Sequence, residues 1–186
     1  MTIETWFTSD THFGHKNIIK YCNRPWTGAQ QMDDALIANW NDRVADDDIV
    51  YHLGDFTLDD RRYAANVFRR LNGQIRVLGY HWHHDRKWIP DGYGPTDLTS
   101  ATGHAVEILP PIVVLRVPEF GKGRHAMPIT LSHYPLAEWE AKFHGGWHLH
   151  GHSHGNHKAP GKLLDAGVDV HGYAPIAMED LPLLIP

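Results

Sequence analysis

The stretch that most constrains this chain lies near its C-terminal end and reads Trp147-His148-Leu149-His150-Gly151-His152-Ser153-His154-Gly155. Apolar residues alternate with histidines up to a glycine, which predicts a strand that ends there. His152 and His154 then stand two apart, a spacing at which side chains of an extended segment point the same way. Because neutral imidazole is the commonest metal ligand, this stretch predicts a strand that delivers two histidines to one site.

Other strand-like segments also end in polar residues that could ligate a metal. Asp10 and His12 follow the segment 3–9, Asp55 follows Gly54 after the segment 49–53, and His133 closes the segment 127–131. After the segment 3–9, and again after the segment 49–53, apolar residues recur at helical spacing. The N-terminal part is therefore predicted to run strand, helix, strand, helix, strand. This is an α/β pattern, in which ligands collect at the carboxyl ends of the strands.

The second half of the chain has a different pattern. We expect a polar loop over 90–103 and then strands at 106–109, 112–117 and 127–131, with no long helices between them. A short helix is expected over 136–143. The sequence therefore predicts a mixed α/β (α+β) fold in which a second, mixed sheet packs on the first, all within one domain over residues 1–186.

Composition narrows the class of protein. The 186 residues are 42% hydrophobic and 21% charged, as is usual for a globular chain, and the net charge is −5. That charge argues against a surface for a nucleic-acid backbone. The chain has 16 histidines but only one cysteine, Cys22. A single cysteine allows no internal disulfide, which favours a cytoplasmic setting. No apolar stretch approaches the roughly 20 residues of a membrane span, so we expect no membrane partner.

The polar residues at the strand ends form a recognisable set of metal ligands. The set comprises Asp10, His12, Asp55, His133, His152 and His154. Two carboxylates and four histidines are too many for one tetrahedral zinc ion. They suit a two-metal site with ions about 3.5–4 Å apart and one bridging carboxylate. Oxygen and nitrogen ligands without thiolate favour two divalent ions such as manganese, iron or zinc.

The order of these motifs resembles the calcineurin-like metallophosphoesterases. The matching runs are Ser9-Asp10-Thr11-His12-Phe13-Gly14-His15, Gly54-Asp55, the loop at Gly79, Ser132-His133, Gly151-His152-Ser153-His154 and Gly167-Val168-Asp169-Val170, and the first and last are similar to a small phage-type branch. The resemblance covers nearly the whole chain. It implies a four-layer sandwich, with two mixed sheets flanked by helices and the metals between the sheet edges.

The resemblance also implies a role for each ligand. Asp10, His12 and His154 would hold the first metal, His133 and His152 the second, and Asp55 would bridge them. The implied activity is hydrolysis of phosphate mono- or diesters by metal-bound hydroxide, with a small phosphate ester as the substrate. His81 would contact the phosphate and protonate the leaving group.

The third motif departs from the family pattern of glycine, asparagine, histidine and aspartate. Here it reads Gly79-Tyr80-His81-Trp82, so tyrosine replaces a metal ligand and tryptophan replaces the carboxylate that orients the histidine. An alternative register places His84 and Asp85 at the histidine and aspartate positions of the motif. The departure leaves a second hypothesis open, a metal-binding scaffold of the same fold with weakened or repurposed activity.

Overall fold

The computed structural model describes residues 2–79, 84–122 and 125–185. In chain order the strands and α-helices are β1 Thr5–Thr8, α1 Lys16–Tyr21, α2 Ala29–Asn41, β2 Ile49–His52, α3 Arg61–Phe68, β3 Gln74–Leu78, β4 Gly94–Thr99, β5 Ala105–Leu109, β6 Ile112–Lys122, β7 His125–Ser132, β8 Trp147–His150, β9 Leu163–Asp165, β10 Ile176–Ala177 and α4 Leu181–Leu184. Short 3₁₀ helices occupy His84–Lys87, Lys142–His144, Val168–Val170 and Met178–Asp180. Within these ranges, every helix is too short or too polar to cross a membrane.

The first sheet has six strands in the order β10-β1-β2-β3-β5-β4. Its four central strands, β1, β2, β3 and β5, run parallel, and the two edge strands run antiparallel to their neighbours. The carboxyl ends of the parallel strands therefore share one edge, which is where an open α/β sheet places its binding residues. The predicted α/β order of the N-terminal half is confirmed.

The second sheet has four strands in the order β6-β7-β8-β9. The strands β7, β8 and β9 are parallel, and β6 pairs antiparallel with β7. Both sheets are thus mixed, as expected. The expectation that residues 106–109 belong to the second sheet was wrong, because β5 pairs with β3 in the first. A parallel bridge between Ser9 and Gly167 joins the ends of β1 and β9 and brings the two sheet edges together.

Two apolar cores hold these layers. The first core lies between the helices and the first sheet, where Met32, Leu36 and Trp40 of α2 and Phe68 of α3 are almost fully buried. The second core fills the space between the sheets. It includes Phe7, Leu53 and Leu78 from the first sheet and Ile129, Leu131 and Leu149 from the second. Because the chain buries both faces of the first sheet, its strands keep a fixed position relative to the second sheet.

The outer face of the second sheet is covered differently from the expectation. We predicted a helix over 136–143, but the structure has turns there and only the 3₁₀ helix Lys142–His144. Ala141 adopts a left-handed conformation with φ 55°, which stops helical continuation. The segment is tied to the sheet by His148, whose Nε2 accepts a hydrogen bond from the Leu136 amide at 3.0 Å.

The predicted loop 90–103 was also wrong in part. It contains β4, which pairs antiparallel with β5 at the edge of the first sheet. Its residues Gly94, Pro95 and Asp97 are ordinarily depleted in strands, and Leu98 is its one buried apolar residue. Pro95 is tolerated because this is an edge strand.

Candidate metal centre

The loop after β1 carries the first two predicted ligands. Asp10 and His12 are buried, and their amides donate to the carbonyls of Gly54 and Asp55, each at 3.0 Å. Both adopt left-handed conformations, with φ 57° and 52°. The loop is therefore folded against the loop after β2, which carries the next ligand, Asp55.

The six predicted ligands form two clusters. The ligand atoms of Asp10, His12 and His154 lie within 4.8 Å of one another, and so do those of Asp55, His133 and His152. We expected His152 and His154 to face one site from an extended segment. Instead both are left-handed, with φ 66° and 46°, and they enter neighbouring clusters.

Asp55 lies between the two clusters. Its Oδ2 is 3.6 Å from Nε2 of His133, in its own cluster, and 3.4 Å from Nε2 of His12, in the other. The Asp55 side chain is buried. This carboxylate can therefore contact ions held by either cluster.

Backbone strain concentrates at these residues. Eight described non-glycine residues have a positive φ, and five of them belong to the six predicted ligands: Asp10, His12, Asp55, His152 and His154. A left-handed backbone is costly for residues other than glycine and persists only where the surrounding structure enforces it. Such residues cluster at functional sites, so the strain marks this one independently of the ligand types.

Hydrogen bonds fix the orientation of two ligand imidazoles. Nδ1 of His133 donates to the Leu53 carbonyl at 3.1 Å, and Nδ1 of His154 donates to Asp169 at 2.7 Å. With the proton on Nδ1, the lone pair of each ring lies on Nε2, the atom that faces the neighbouring carboxylate. His12 is buried, and neither of its ring nitrogens has a hydrogen-bond partner within the described ranges. These donor atoms fit divalent metal ions, which would supply the partners.

An ion pair that the sequence patterns did not reveal supports the first cluster. Nε and Nη2 of Arg24 donate to both oxygens of Asp169, at 2.8 and 2.9 Å. The same guanidinium donates to the Asp10 and Thr11 carbonyls, at 2.7 and 2.8 Å. Arg24 is 4% exposed. It thereby holds the loop of Asp10 and, through Asp169, the ring of His154.

Burial perturbs the ionisation of the two carboxylates. Burial is the largest cause that raises the pKa of Asp10 to about 7. Within that value, the charge of His154 lowers the pKa and the charge of Asp55 raises it. Burial, together with the nearby Asp85 carboxylate, raises the pKa of Asp55 to about 8. Burial also lowers the pKa of His12, which keeps that ring neutral. Positive charge from bound cations would stabilise both carboxylates in the ionised form that ligation requires.

A third group of possible ligands lies beside the first cluster. The ligand atoms of Cys22, His154 and Asp169 are also within 4.8 Å of one another. However, burial raises the pKa of the Cys22 thiol to about 11, and Asp169 already pairs with Arg24. Cysteine ligates a metal ion as the thiolate, and this raised pKa disfavours that form. We therefore assign His154 to the cluster of Asp10 and His12.

The altered third motif is only partly visible. Tyr80, His81 and Trp82 lie outside the described residues, so the prediction that His81 is catalytic stays a prediction. His84 is described, and its Nε2 lies 3.9 Å from Oδ2 of Asp55 with 47% of its side chain exposed. Its ring packs edge-on against His12 at 5.5 Å. The alternative register thus places an accessible histidine at the site.

Asp85, the aspartate of that alternative register, holds neighbouring segments together through hydrogen bonds. Its carboxylate accepts hydrogen bonds from the amides of Phe56 and Thr57, at 3.2 and 3.0 Å, and from the Trp88 indole at 2.7 Å. It is 1% exposed. Asp85 therefore fixes the segment after Asp55 and the 3₁₀ helix that carries His84.

Comparisons with known proteins place the chain in a family. No family model matches it. It is 33% identical over 186 residues to the uncharacterized protein MJ1445 of Methanocaldococcus jannaschii, covering 95% of this chain and 88% of that protein. It is 28% identical over 172 residues to the Gene 66 protein of Mycobacterium phage L5, covering 81% and 77% of the two chains.

A solved structure shares the fold. The crystal structure of AQ665 from Aquifex aeolicus, a protein of unknown function, superposes with a TM-score of 0.68 at 22% identity. The superposition covers 99% of this chain and 100% of that one. The identity and coverage of the archaeal relative are high enough that this chain belongs to the same protein family as MJ1445.

Proposed function

We propose that this protein is a metal-dependent phosphoesterase that hydrolyses phosphate mono- or diesters, with the calcineurin-like sandwich as its architecture. One observation carries the proposal. Asp55 stands between two clusters of ligand side chains, 3.4 Å from a histidine of one and 3.6 Å from a histidine of the other. A carboxylate shared between two adjacent ligand sets is what a two-metal site requires.

The donor sets suggest which ions would bind. Asp10, His12 and His154 would hold the first ion, His133 and His152 the second, and Asp55 would contact both. Mixed carboxylate and imidazole donors suit manganese, iron or zinc. Two such ions would stabilise the negative charge that develops on a phosphoryl group and lower the pKa of nearby water.

The remaining polar groups of the site would act on the substrate. His84 is accessible beside Asp55 and can donate a hydrogen bond to a phosphoryl or leaving oxygen. His15 is half-buried and lies next to both His12 and His84, with ring centroids 5.4 and 6.5 Å away. Between them, these two imidazoles can orient a small phosphate ester at the mouth of the clusters.

The test compares two single variants, Asp55→Asn and the matched control Asp46→Asn. Asp55 is buried at the proposed bridge, whereas Asp46 is exposed before β2, at the opposite edge of the sheet. Metal content per chain is measured by elemental analysis, and hydrolysis is followed with p-nitrophenyl phosphate and bis-p-nitrophenyl phosphate. We expect about two ions per chain in the wild type and in Asp46→Asn.

Asp55→Asn should bind fewer ions and lose hydrolysis by at least a hundredfold, because the shared ligand is neutralised without a change of shape. Circular dichroism checks that it remains folded. Unchanged hydrolysis in Asp55→Asn contradicts the proposal. Two bound ions without hydrolysis of any ester would instead support the metal-binding scaffold.

A further inference from the structure

We propose that the opening of the metal centre accepts a nucleotide, with the base against Tyr21 and the phosphate beside His15. This inference rests on the proposed phosphoesterase function and names its substrate class. Two features of the described surface carry it: an exposed aromatic ring next to the site histidines, and cationic side chains without a described ion pair on the two elements that begin at His15 and His84.

Tyr21 is held next to the site by the chain on both sides of it. Its ring is 6.3 Å from that of His15 at an interplanar angle of 75°, and His15 in turn packs on His12. The following residue, Cys22, lies with its sulfur within 4.8 Å of His154 and Asp169. Yet Tyr21 is 73% exposed. The fold therefore presents an open aromatic ring that is separated from His12 by the ring of His15.

Exposed cationic side chains lie on the two elements that begin at His15 and His84. Lys16 and Lys20 are exposed on α1, directly beside His15 and Tyr21 in the chain. Arg86 and Lys87 are exposed on the 3₁₀ helix that begins with His84. None of the four forms an ion pair with another described residue, whereas Arg24, Arg61, Arg70, Arg76 and Arg116 all do.

The two features together point to a base joined to phosphate. An aromatic side chain stacks on any base, and this stacking is worth roughly 1–3 kcal/mol per base when the ring is removed. Free lysine and arginine side chains attract phosphate charge, which a chain with a net charge of −5 otherwise repels. A substrate without a planar group, such as an alkyl phosphate, would use the charges but not the ring.

The test compares two diesters that share a leaving group. One is the p-nitrophenyl ester of thymidine monophosphate, and the other is ethyl p-nitrophenyl phosphate. We measure kcat/KM for both, and the Kd of thymidine monophosphate by calorimetry, in the wild type, Tyr21→Ala, Tyr21→Phe and Phe143→Ala. Phe143 is 80% exposed beyond the far end of β7 and serves as the matched aromatic control.

We expect the wild type and Phe143→Ala to prefer the thymidine ester. Tyr21→Ala should lose that preference by roughly tenfold or more and weaken the Kd similarly, whereas Tyr21→Phe keeps both because it keeps the ring. The double variant Lys16→Ala/Lys20→Ala should weaken the Kd at low salt and flatten its dependence on salt.

Several outcomes would overturn the inference. If both esters are hydrolysed without preference, if Tyr21→Ala keeps the preference, or if Tyr21→Phe fails as badly as Tyr21→Ala, then no base stacks on Tyr21, while the phosphoesterase function stands. An unchanged Kd in the lysine double variant removes the charged part of the inference. If the wild type with manganese hydrolyses neither ester, the phosphoesterase function and this inference fall together.

Discussion

Nδ1 of His154 donates to Oδ2 of Asp169 at 2.7 Å, and Asp169 in turn accepts two hydrogen bonds from the buried Arg24 guanidinium. Burial alone would lower the pKa of His154, but the bond to Asp169 and the nearby Asp10 carboxylate together raise it. A carboxylate behind a ligand imidazole fixes its tautomer and orientation, and increases its basicity. Because Arg24 also donates to the Asp10 carbonyl, its pairing with Asp169 links the loop of His154 to the loop of Asp10.

Asp169→Asn should weaken metal binding at the first cluster by roughly 10- to 100-fold, because the ring of His154 loses its charged partner. The measurement is the Kd of manganese by titration calorimetry. Asp34→Asn is the matched control, since Asp34 also pairs with an arginine but lies exposed on α2. Equal metal affinity in the two variants would show that Asp169 does not orient His154.

Gly151→Ala should destabilise the junction of the two sheets and remove metal from both clusters. A Cβ at position 151 would lie 2.0 Å from the Ser9 hydroxyl and 2.5 Å from the Asp10 carboxylate. That close approach also lets the His152 amide donate to Asp10 at 2.9 Å. The thermal midpoint and the metal content report the two effects.

Gly28→Ser is the control for that substitution. No atom lies within 4 Å of a Cβ built at Gly28, and serine suits the N-cap position that Gly28 occupies before α2. We expect its thermal midpoint to equal or slightly exceed that of the wild type. If Gly151→Ala also matched the wild type in midpoint and metal content, the close packing of the two ligand loops would be unnecessary.

Acid should weaken the fold through His148. This ring is buried between the Thr130 carbonyl and the Leu136 amide, and burial lowers its pKa to about 4. Between about pH 6.5 and about pH 4 the unfolded chain protonates His148 and the folded chain does not, so stability falls as the pH falls. The loss is about 1.4 kcal/mol per pH unit in that window.

Urea titrations at about pH 7 and about pH 5 measure this loss, and His148→Gln isolates it. Glutamine can accept from the Leu136 amide and donate to the Thr130 carbonyl, but it does not titrate. We expect the variant to lose less stability than the wild type between the two pH values, although other buried histidines still contribute. An identical loss in both proteins would mean that His148 takes up a proton without unfolding.

His84→Ala should lower kcat/KM for phosphate esters by roughly 10- to 100-fold, in keeping with the loss of a side chain that donates to the reacting oxygens. His144→Ala is the control, because His144 is exposed and precedes β8, whereas the site lies at the opposite, carboxyl end of that strand. A parallel His81→Ala variant tests the sequence prediction directly. Loss of activity in His81→Ala alone would restore His81 to that role.

The residues that the structure groups into two clusters could be predicted from local sequence because each follows an apolar segment, as Asp10 follows β1 and Asp55 follows β2. The contact between Arg24 and Asp169 could not, since these residues are far apart in the chain and each sits in an ordinary loop pattern. Their pairing depends on where the ends of the two sheets meet.

The errors in the fold have similar causes. Strand β4 was missed because hydrogen bonds to β5, rather than its Gly94-Pro95 composition, make it a strand. The segment 136–143 has suitable apolar spacing for a helix, but the structure has turns there, with a left-handed Ala141 and Trp139 packed on His148. In both cases tertiary contacts outweighed local propensity.

The bridge between Ser9 and Gly167, together with the bond from the His152 amide to Asp10, has a consequence for how the protein is made. The segment that carries Asp10 and His12 leaves the ribosome long before the segment that carries His152 and His154. On the nascent chain the early ligands therefore have no partners, and neither cluster can close until β8 and β9 have been synthesised. Capture of a metal ion would then follow the synthesis of β9 and report that the two segments carrying these residues have met.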